Sequence, residues 1–180
     1  MNRPSWDEYF TEITKKVSER STCDRGHAAC VIVKENRILA TGYAGSPKGM
    51  PHCDDAGHML RKQYDNETGE ITTHCVRTVH AEQNAITQAA KFGVSLDGST
   101  VYVTMEPCFT CAKMLVQVGV KRVIAFKKYH DDKDTIDLFD KSGILLEVKE
   151  EKEEDYTNKW VLFVYNTTTV YFSMLVYLML

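Results

Sequence analysis

Positive charge is not in surplus in this chain: 22 Lys and Arg stand against 25 Asp and Glu, for a formal net charge of −3. A nucleic-acid backbone is therefore not the expected main partner, because phosphate binding draws on a clustered excess of cations. The first residues also lack an apolar run and turn polar at once. No secretory leader is expected, and the expected compartment is the reducing cytoplasm. Disulfides are not expected there, so Cys23, Cys30, Cys53, Cys75, Cys108 and Cys111 read as metal ligands or core residues. What is present is ordinary for one globular domain: 180 residues, 43% hydrophobic and 26% charged.

Taken in order, residues 5–8 have the Ser-x-x-Glu form of a capping box, and Trp6, Phe10, Ile13 and Val17 recur at helical spacing. An amphipathic helix follows, with Trp6 and Phe10 expected in the core. Residues 28–34 and 37–42 are apolar, β-branched runs on either side of Glu35-Asn36 and predict a hairpin, with Cys30 as a small buried hydrophobe. Between Gly42 and Cys75 the periodicity fails, and glycines and prolines punctuate a segment that also carries His52, Cys53, His58 and His74. We expect a long ordered functional loop whose tip, residues 65–68, moves.

From residue 80 onward helical and strand patterns alternate. Residues 80–92 and 108–118 read as helices, residues 100–105, 121–126 and 144–148 as strands, and Thr135 to Phe139 as part of a third helix. Such alternation predicts α/β layering with right-handed crossovers. Residues 1–148 are thus expected to form one layered domain. Residues 149–160 open with a charge run and read as a spacer, and residues 161–180 form an uncharged, mostly apolar tail. A membrane anchor, extra strands on the sheet or an interface, and an extension from a frame change compete as readings of that tail. The polar block Asn166-Thr167-Thr168-Thr169 weakens the anchor.

The chemistry concentrates in His80-Ala81-Glu82 and Pro107-Cys108-Phe109-Thr110-Cys111. A catalytic zinc takes three protein ligands and leaves the fourth position to water, and His80, Cys108 and Cys111 make such a set. Cysteines three apart at a helix start lie on one face, near the positive end of the helix dipole that favours thiolate. Glu82 is placed as a proton carrier rather than a ligand, beside a zinc that lowers the pKa of bound water to about 7. A redox pair or half of a structural zinc site is the blander reading of Cys-x-x-Cys, but neither needs the glutamate or the proline. His-x-Glu followed by Pro-Cys-x-x-Cys is the pattern of zinc nucleobase deaminases.

Six stretches carry a more specific resemblance. They are Arg-Pro-Ser-Trp-Asp-Glu-Tyr-Phe at residues 3–10, Arg-Ser-Thr-Cys at 20–23, Thr-Gly-Tyr-Ala-Gly-Ser-Pro at 41–47 and Pro-His-Cys-Asp-Asp at 51–55. The others are His-Cys-Val-Arg-Thr-Val-His-Ala-Glu-Gln-Asn-Ala at 74–85 and Lys-Tyr-His-Asp at 128–131. With these, the chain resembles the deoxycytidylate (dCMP) deaminase family. The resemblance implies a three-layer α/β/α fold around a mixed five-stranded sheet, and zinc-dependent hydrolysis of dCMP to dUMP and ammonia. It also implies a homo-oligomer, commonly a hexamer, and dCTP and dTTP as effectors. A second zinc is implied on Cys23, Cys53 and Cys75, with His74 or His58 as the fourth ligand. Asn84, Ser46, Lys48 and Tyr129 become candidates for substrate contacts, and Gly42, Tyr43, Gly45 and Lys91 for effector contacts. The family's Gly-Tyr-Asn-Gly is Gly-Tyr-Ala-Gly here, and Ala44 lacks the amide's donor and acceptor, so weakened or absent dCTP activation is expected. A nucleic-acid editing deaminase of the transfer RNA adenosine type, and a non-catalytic zinc protein tethered to a membrane by the tail, are the alternatives. The net charge speaks against the first and Glu82 against the second.

Overall fold

The structure, a computed structural model, describes residues 3–64, 69, 71–129 and 133–153. Its first element, α1 (Trp6–Ser18), starts where expected: Ser5 Oγ accepts from the Glu8 N–H at 3.2 Å, and Glu8 Oε2 accepts from the Ser5 N–H at 2.7 Å. Phe10 and Thr14 are the buried positions of this helix, whereas Trp6 is 56% exposed. Trp6 stacks on Phe10 at 5.7 Å between ring centroids, so it covers the edge of the core rather than filling it.

β1 (Ala29–Lys34) and β2 (Arg37–Tyr43) form the predicted hairpin, and both turn residues, Glu35 and Asn36, have positive φ, at 50° and 58°. Such a turn matches the right-handed twist of the strands. β1 is buried on both faces because helices cover both. Its alternate residues divide accordingly: Val31 and Val33 pack with Phe10 under α1, while Cys30 and Ile32 join the larger core on the other side.

The remaining elements are α2 (Cys53–Ala56), β3 (Leu60–Tyr64), β4 (Ile71–Cys75), α3 (Ala81–Phe92) and β5 (Thr100–Met105), then α4 (Phe109–Gln117), β6 (Arg122–Lys128), α5 (Lys133–Ser142) and β7 (Leu145–Glu153). The main sheet has the order β2-β1-β5-β6-β7, with β1 antiparallel to both neighbours and β5, β6 and β7 parallel. Ala85 and Ala89 of α3, Leu115 of α4 and Phe139 of α5 all enter the core opposite α1. The result is the expected three-layer α/β/α arrangement around a mixed five-stranded sheet.

Two expectations change. The segment expected as an irregular loop contains α2 and the separate antiparallel pair β3–β4. β3 is exposed at every residue, so it has no buried face and leaves no alternation in the sequence. β7 runs to Glu153, so residues 149–153, expected in a spacer, continue the sheet. Residues 65–68 and 154–180, with the expected loop tip and the apolar tail, lie outside the described residues. Among the described residues no helix is long and apolar enough to cross a membrane.

Candidate metal centre and active site

Two helix N-termini meet at the ends of the parallel strands. His80 is the N-cap of α3 and Cys108 the N-cap of α4, both in extended backbone conformation, with Cys111 one turn into α4. Gln83 holds the first of these ends by accepting from the His80 N–H at 3.1 Å. Cys108 Sγ and Cys111 Sγ lie 3.5 and 3.4 Å from His80 Nδ1. For tetrahedral zinc, with Zn–S near 2.3 Å and Zn–N near 2.0 Å, that edge is about 3.5 Å. One imidazole and two thiols therefore fit the ion in both donor type and spacing. His80 is exposed, Cys108 half-buried and Cys111 buried, so the centre opens to one side.

The electrostatics favour a cation. A hydrogen bond from the Cys111 thiol, helped by His80, holds the Cys108 thiol down at about 4. The bond to Cys108 raises His80 to about 8, and Cys111, the donor to that thiolate, is pushed up. Glu82, in the first turn of α3, is only 7% exposed, and burial raises its carboxyl above the usual range. Glu82 stands two residues after His80, in the first turn of the helix that His80 caps. A buried carboxyl with a raised pKa, on the same helix end as a metal-binding imidazole, is suited to carry a proton.

The loop after β2 is tied to the residue before His80. Gly45 and Val79 exchange backbone hydrogen bonds of 3.3 and 2.9 Å. Asn84 Nδ2 donates to the Tyr43 carbonyl at 2.7 Å, so part of the amide expected to contact substrate instead fastens α3 to β2. Ser46 Oγ is buried without a hydrogen-bond partner, whereas Lys48 is exposed. Tyr129 is half-buried, and its N–H donates to Glu106 Oε2 at 2.9 Å. Lys91 stands in the last turn of α3, about 16 Å along the helix from His80, and the fold does not bring it to this centre. Gly42 is backbone packing: an added Cβ would meet the Ala81 carbonyl oxygen at 2.1 Å and the Ala85 nitrogen at 2.5 Å.

A second cluster joins Cys23, Cys53, His58 and Cys75, with one ligand atom from each and all within 4.8 Å of one another. Cys53 Sγ and Cys75 Sγ are 3.7 Å apart, close to the S···S edge of about 3.8 Å in a tetrahedral zinc site. Burial raises the Cys23 and Cys53 thiols, while Cys75, despite its burial, is brought down by the Arg77 and Met59 backbone N–H groups. His58 Nε2 meets Asp24 Oδ1 at 2.9 Å, which leaves Nδ1 facing Cys23 Sγ at 3.8 Å. Of the two histidines weighed from sequence, the cluster contains His58 and not His74. Neighbouring residues in β4 point to opposite faces, so Cys75 turns toward the cluster and His74 away. His74 Nε2 instead meets Thr72 Oγ1 at 2.8 Å, on the same face two residues back. Sequence reasoning passed over Glu106 entirely, and its signal was a carboxylate directly before the Pro-Cys-x-x-Cys run.

A three-layer α/β/α domain with an imidazole, two thiols and a buried carboxyl at its strand ends is the scaffold and centre of a zinc-dependent deaminase. The profile of the cytidine and deoxycytidylate deaminase zinc-binding region matches residues 4–127, and the chain belongs to that family. ComE operon protein 2 of Bacillus subtilis is 40% identical over 147 residues, 82% of this chain and 72% of that protein. The deoxycytidylate deaminase of Schizosaccharomyces pombe is 35% identical over 144 residues, 80% of this chain and 44% of that protein, so the chain spans under half the length of that relative. The solved dCMP deaminase of cyanophage S-TIM5, in complex with dCMP and dUMP, superposes with a TM-score of 0.64 at 31% identity, covering 82% of this chain and 99% of the other.

Proposed function

We propose that this chain converts dCMP to dUMP and ammonia, with zinc held by His80, Cys108 and Cys111. The observation that carries the reading is Glu82, a buried carboxyl in the first turn of α3, two residues after the N-cap ligand His80. Held by these three residues, zinc would lower the pKa of bound water and so provide a hydroxide at neutral pH for attack at C4 of the cytosine ring. Glu82 takes the proton released from water. It delivers that proton to the ring nitrogen next to the amino-bearing carbon, then carries the proton of the new C4 hydroxyl to the amine, so that the C4–N bond breaks, the C4 carbonyl forms and ammonia leaves. The family membership and the dCMP-bound cyanophage relative support deoxycytidine monophosphate over a nucleic acid as the substrate. Product dUMP then feeds the synthesis of dTMP.

Further assignments belong to the same proposal. The cluster of Cys23, Cys53, His58 and Cys75 holds a second, structural zinc that fastens the α2–β4 segment to the end of α1. Ser46, Lys48, Asn84 and Tyr129 line the nucleotide site. The protein works as a cytoplasmic homo-oligomer with dCTP and dTTP as effectors, and activation by dCTP is weakened or absent because of Ala44, a methyl side chain 9% exposed. Ammonia release from dCMP, cytidine, dCTP and an RNA stem-loop, with and without dTTP, tests the whole. Preference for dCMP is expected. Turnover of the stem-loop without turnover of dCMP would overturn the substrate, and a sigmoidal-to-hyperbolic shift on adding dCTP would overturn the weakened activation.

A further inference from the structure

Glu106 is a carboxylic residue buried to 2% exposure that the proposed reaction does not use. Burying such a group is costly unless it is hydrogen-bonded, so where its bonds go is informative. The β5–β6 ladder has its last pair at Met105 and Lys127, and Glu106 continues that pairing past the end of β5. Its N–H donates to the Lys127 carbonyl at 2.9 Å, and its Oε2 accepts from the Tyr129 N–H at 2.9 Å. The side chain thus acts as one more rung, holding β6 in line for a residue beyond the strand. The next residue, Pro107, is fully buried and accepts from Thr135 Oγ1 of α5 at 3.2 Å. The residue after that is Cys108, the N-cap of α4 whose thiol meets His80. Three consecutive residues therefore tie β6, α5 and the candidate metal centre together. Because β5 and β6 are parallel, Tyr129 leaves the sheet at the same edge as Cys108, the edge at which open α/β sheets bind ligands.

We propose that Glu106 is a positioning residue for the reaction: its carboxylate places Tyr129 where the pyrimidine ring docks, and so sets affinity for the nucleotide rather than the rate of the chemical step. The inference rests on the reading above that Tyr129 contacts the substrate. A hydrogen bond from a backbone N–H to a side-chain oxygen at 2.9 Å is directional, which suits Glu106 to hold the segment just past the end of β6.

The test uses the zinc-replete protein and two variants, Glu106→Asp and Glu106→Gln. The shorter aspartate withdraws the acceptor by about one bond length, roughly 1.5 Å, whereas glutamine keeps an acceptor oxygen at the same reach. Hydrogen exchange at the Tyr129 amide, zinc per chain, and KM and kcat for dCMP are measured together. In E106D the amide is expected to exchange about tenfold faster and KM to rise about tenfold, with kcat and zinc content near wild type, as loss of uniform binding requires. E106Q is expected to stay close to wild type in both readouts. An unchanged amide in E106D, a released amide with unchanged KM, or a fall in kcat that tracks lost zinc would each overturn the inference. If E106D is unstable, the Gln variant decides, since faster exchange or a raised KM there contradicts the argument. Should the wild type fail to deaminate dCMP, the substrate reading fails, while amide exchange still reports whether Glu106 holds Tyr129.

Discussion

Replacing Gly42 by alanine sets packing against an effector role at one atom. A Cβ at residue 42 would sit 2.1 Å from the Ala81 carbonyl oxygen and 2.5 Å from the Ala85 nitrogen. Both are backbone atoms of α3, so no flexible side-chain end can swing aside. Restoring ordinary contact requires α3 and β2 to separate by about 1 Å. His80 and Glu82 occupy the N-cap and first turn of that helix and would move with it. Overpacking of this kind costs about 1–3 kcal/mol, and a displacement of about 1 Å in a catalytic group can cost about a hundredfold in rate. We therefore expect G42A to lower Tm by about 3–10 °C and dCMP turnover by about a hundredfold, measured at saturating zinc with zinc per chain determined in parallel. Gly45 is the control. A Cβ there meets Thr22 Oγ1 at 3.1 Å and the Tyr43 ring at 3.5 Å, which small side-chain shifts absorb, so G45A should keep most of its turnover. Unchanged turnover and Tm in G42A would refute the close approach of β2 to α3. Unchanged basal turnover with an altered response to dCTP would restore the effector role.

Glu82→Gln removes the carboxyl proposed to carry the proton, and kcat for dCMP is expected to fall by about 10²- to 10⁴-fold with zinc content unchanged; full activity would rule out the mechanism. His58→Ala is expected to lose zinc from the second cluster and lower Tm while His74→Ala does neither, as metal analysis and thermal melts would reveal; the opposite pattern would return His74 to the ligand set. Asp7 clamps α1 to the sheet, its carboxylate accepting from Arg122 Nη1 and Nη2 at 3.0 and 2.7 Å and from Tyr102 Oη at 2.8 Å. The Arg122 hydrogen bonds hold its pKa below 3.8, so its stabilisation is present above that pH and is lost as pH falls through the lower folded value. At pH 7, Asp7→Asn should therefore cost about 1–2 kcal/mol, a figure reduced for partial exposure, and urea midpoints of the two proteins should converge in acid below pH 3.8.

Much of the centre was legible before the fold because its parts are local. The capping box at Ser5, the turn at Glu35-Asn36 and the helix starts at His80 and Cys108 are each decided within a few residues. His-x-Glu and Cys-x-x-Cys at helix starts place their own side chains, since residues one turn apart share a face. Trp6 was misplaced because helical spacing gives a face but not the edge of the layer beneath it, where the ring rests half exposed on Phe10. β3 was missed because a strand without a buried face leaves no apolar alternation, and β4 because its less exposed positions are the polar or thiol residues Thr72, His74 and Cys75.

By itself, then, the sequence determined the donor types, the carboxyl at the start of α3 and the layered α/β class, all properties of short segments. Tertiary structure alone decided which distant segments meet. It brought His58 rather than His74 to Cys23, Cys53 and Cys75, because β4 turns adjacent residues to opposite faces. It pressed Gly42 against α3, and it joined Glu106 to Tyr129 across the end of a parallel strand pair. The physical reason is the same in each case: strand register and helix docking depend on pairings between residues tens of positions apart, and no local pattern encodes them.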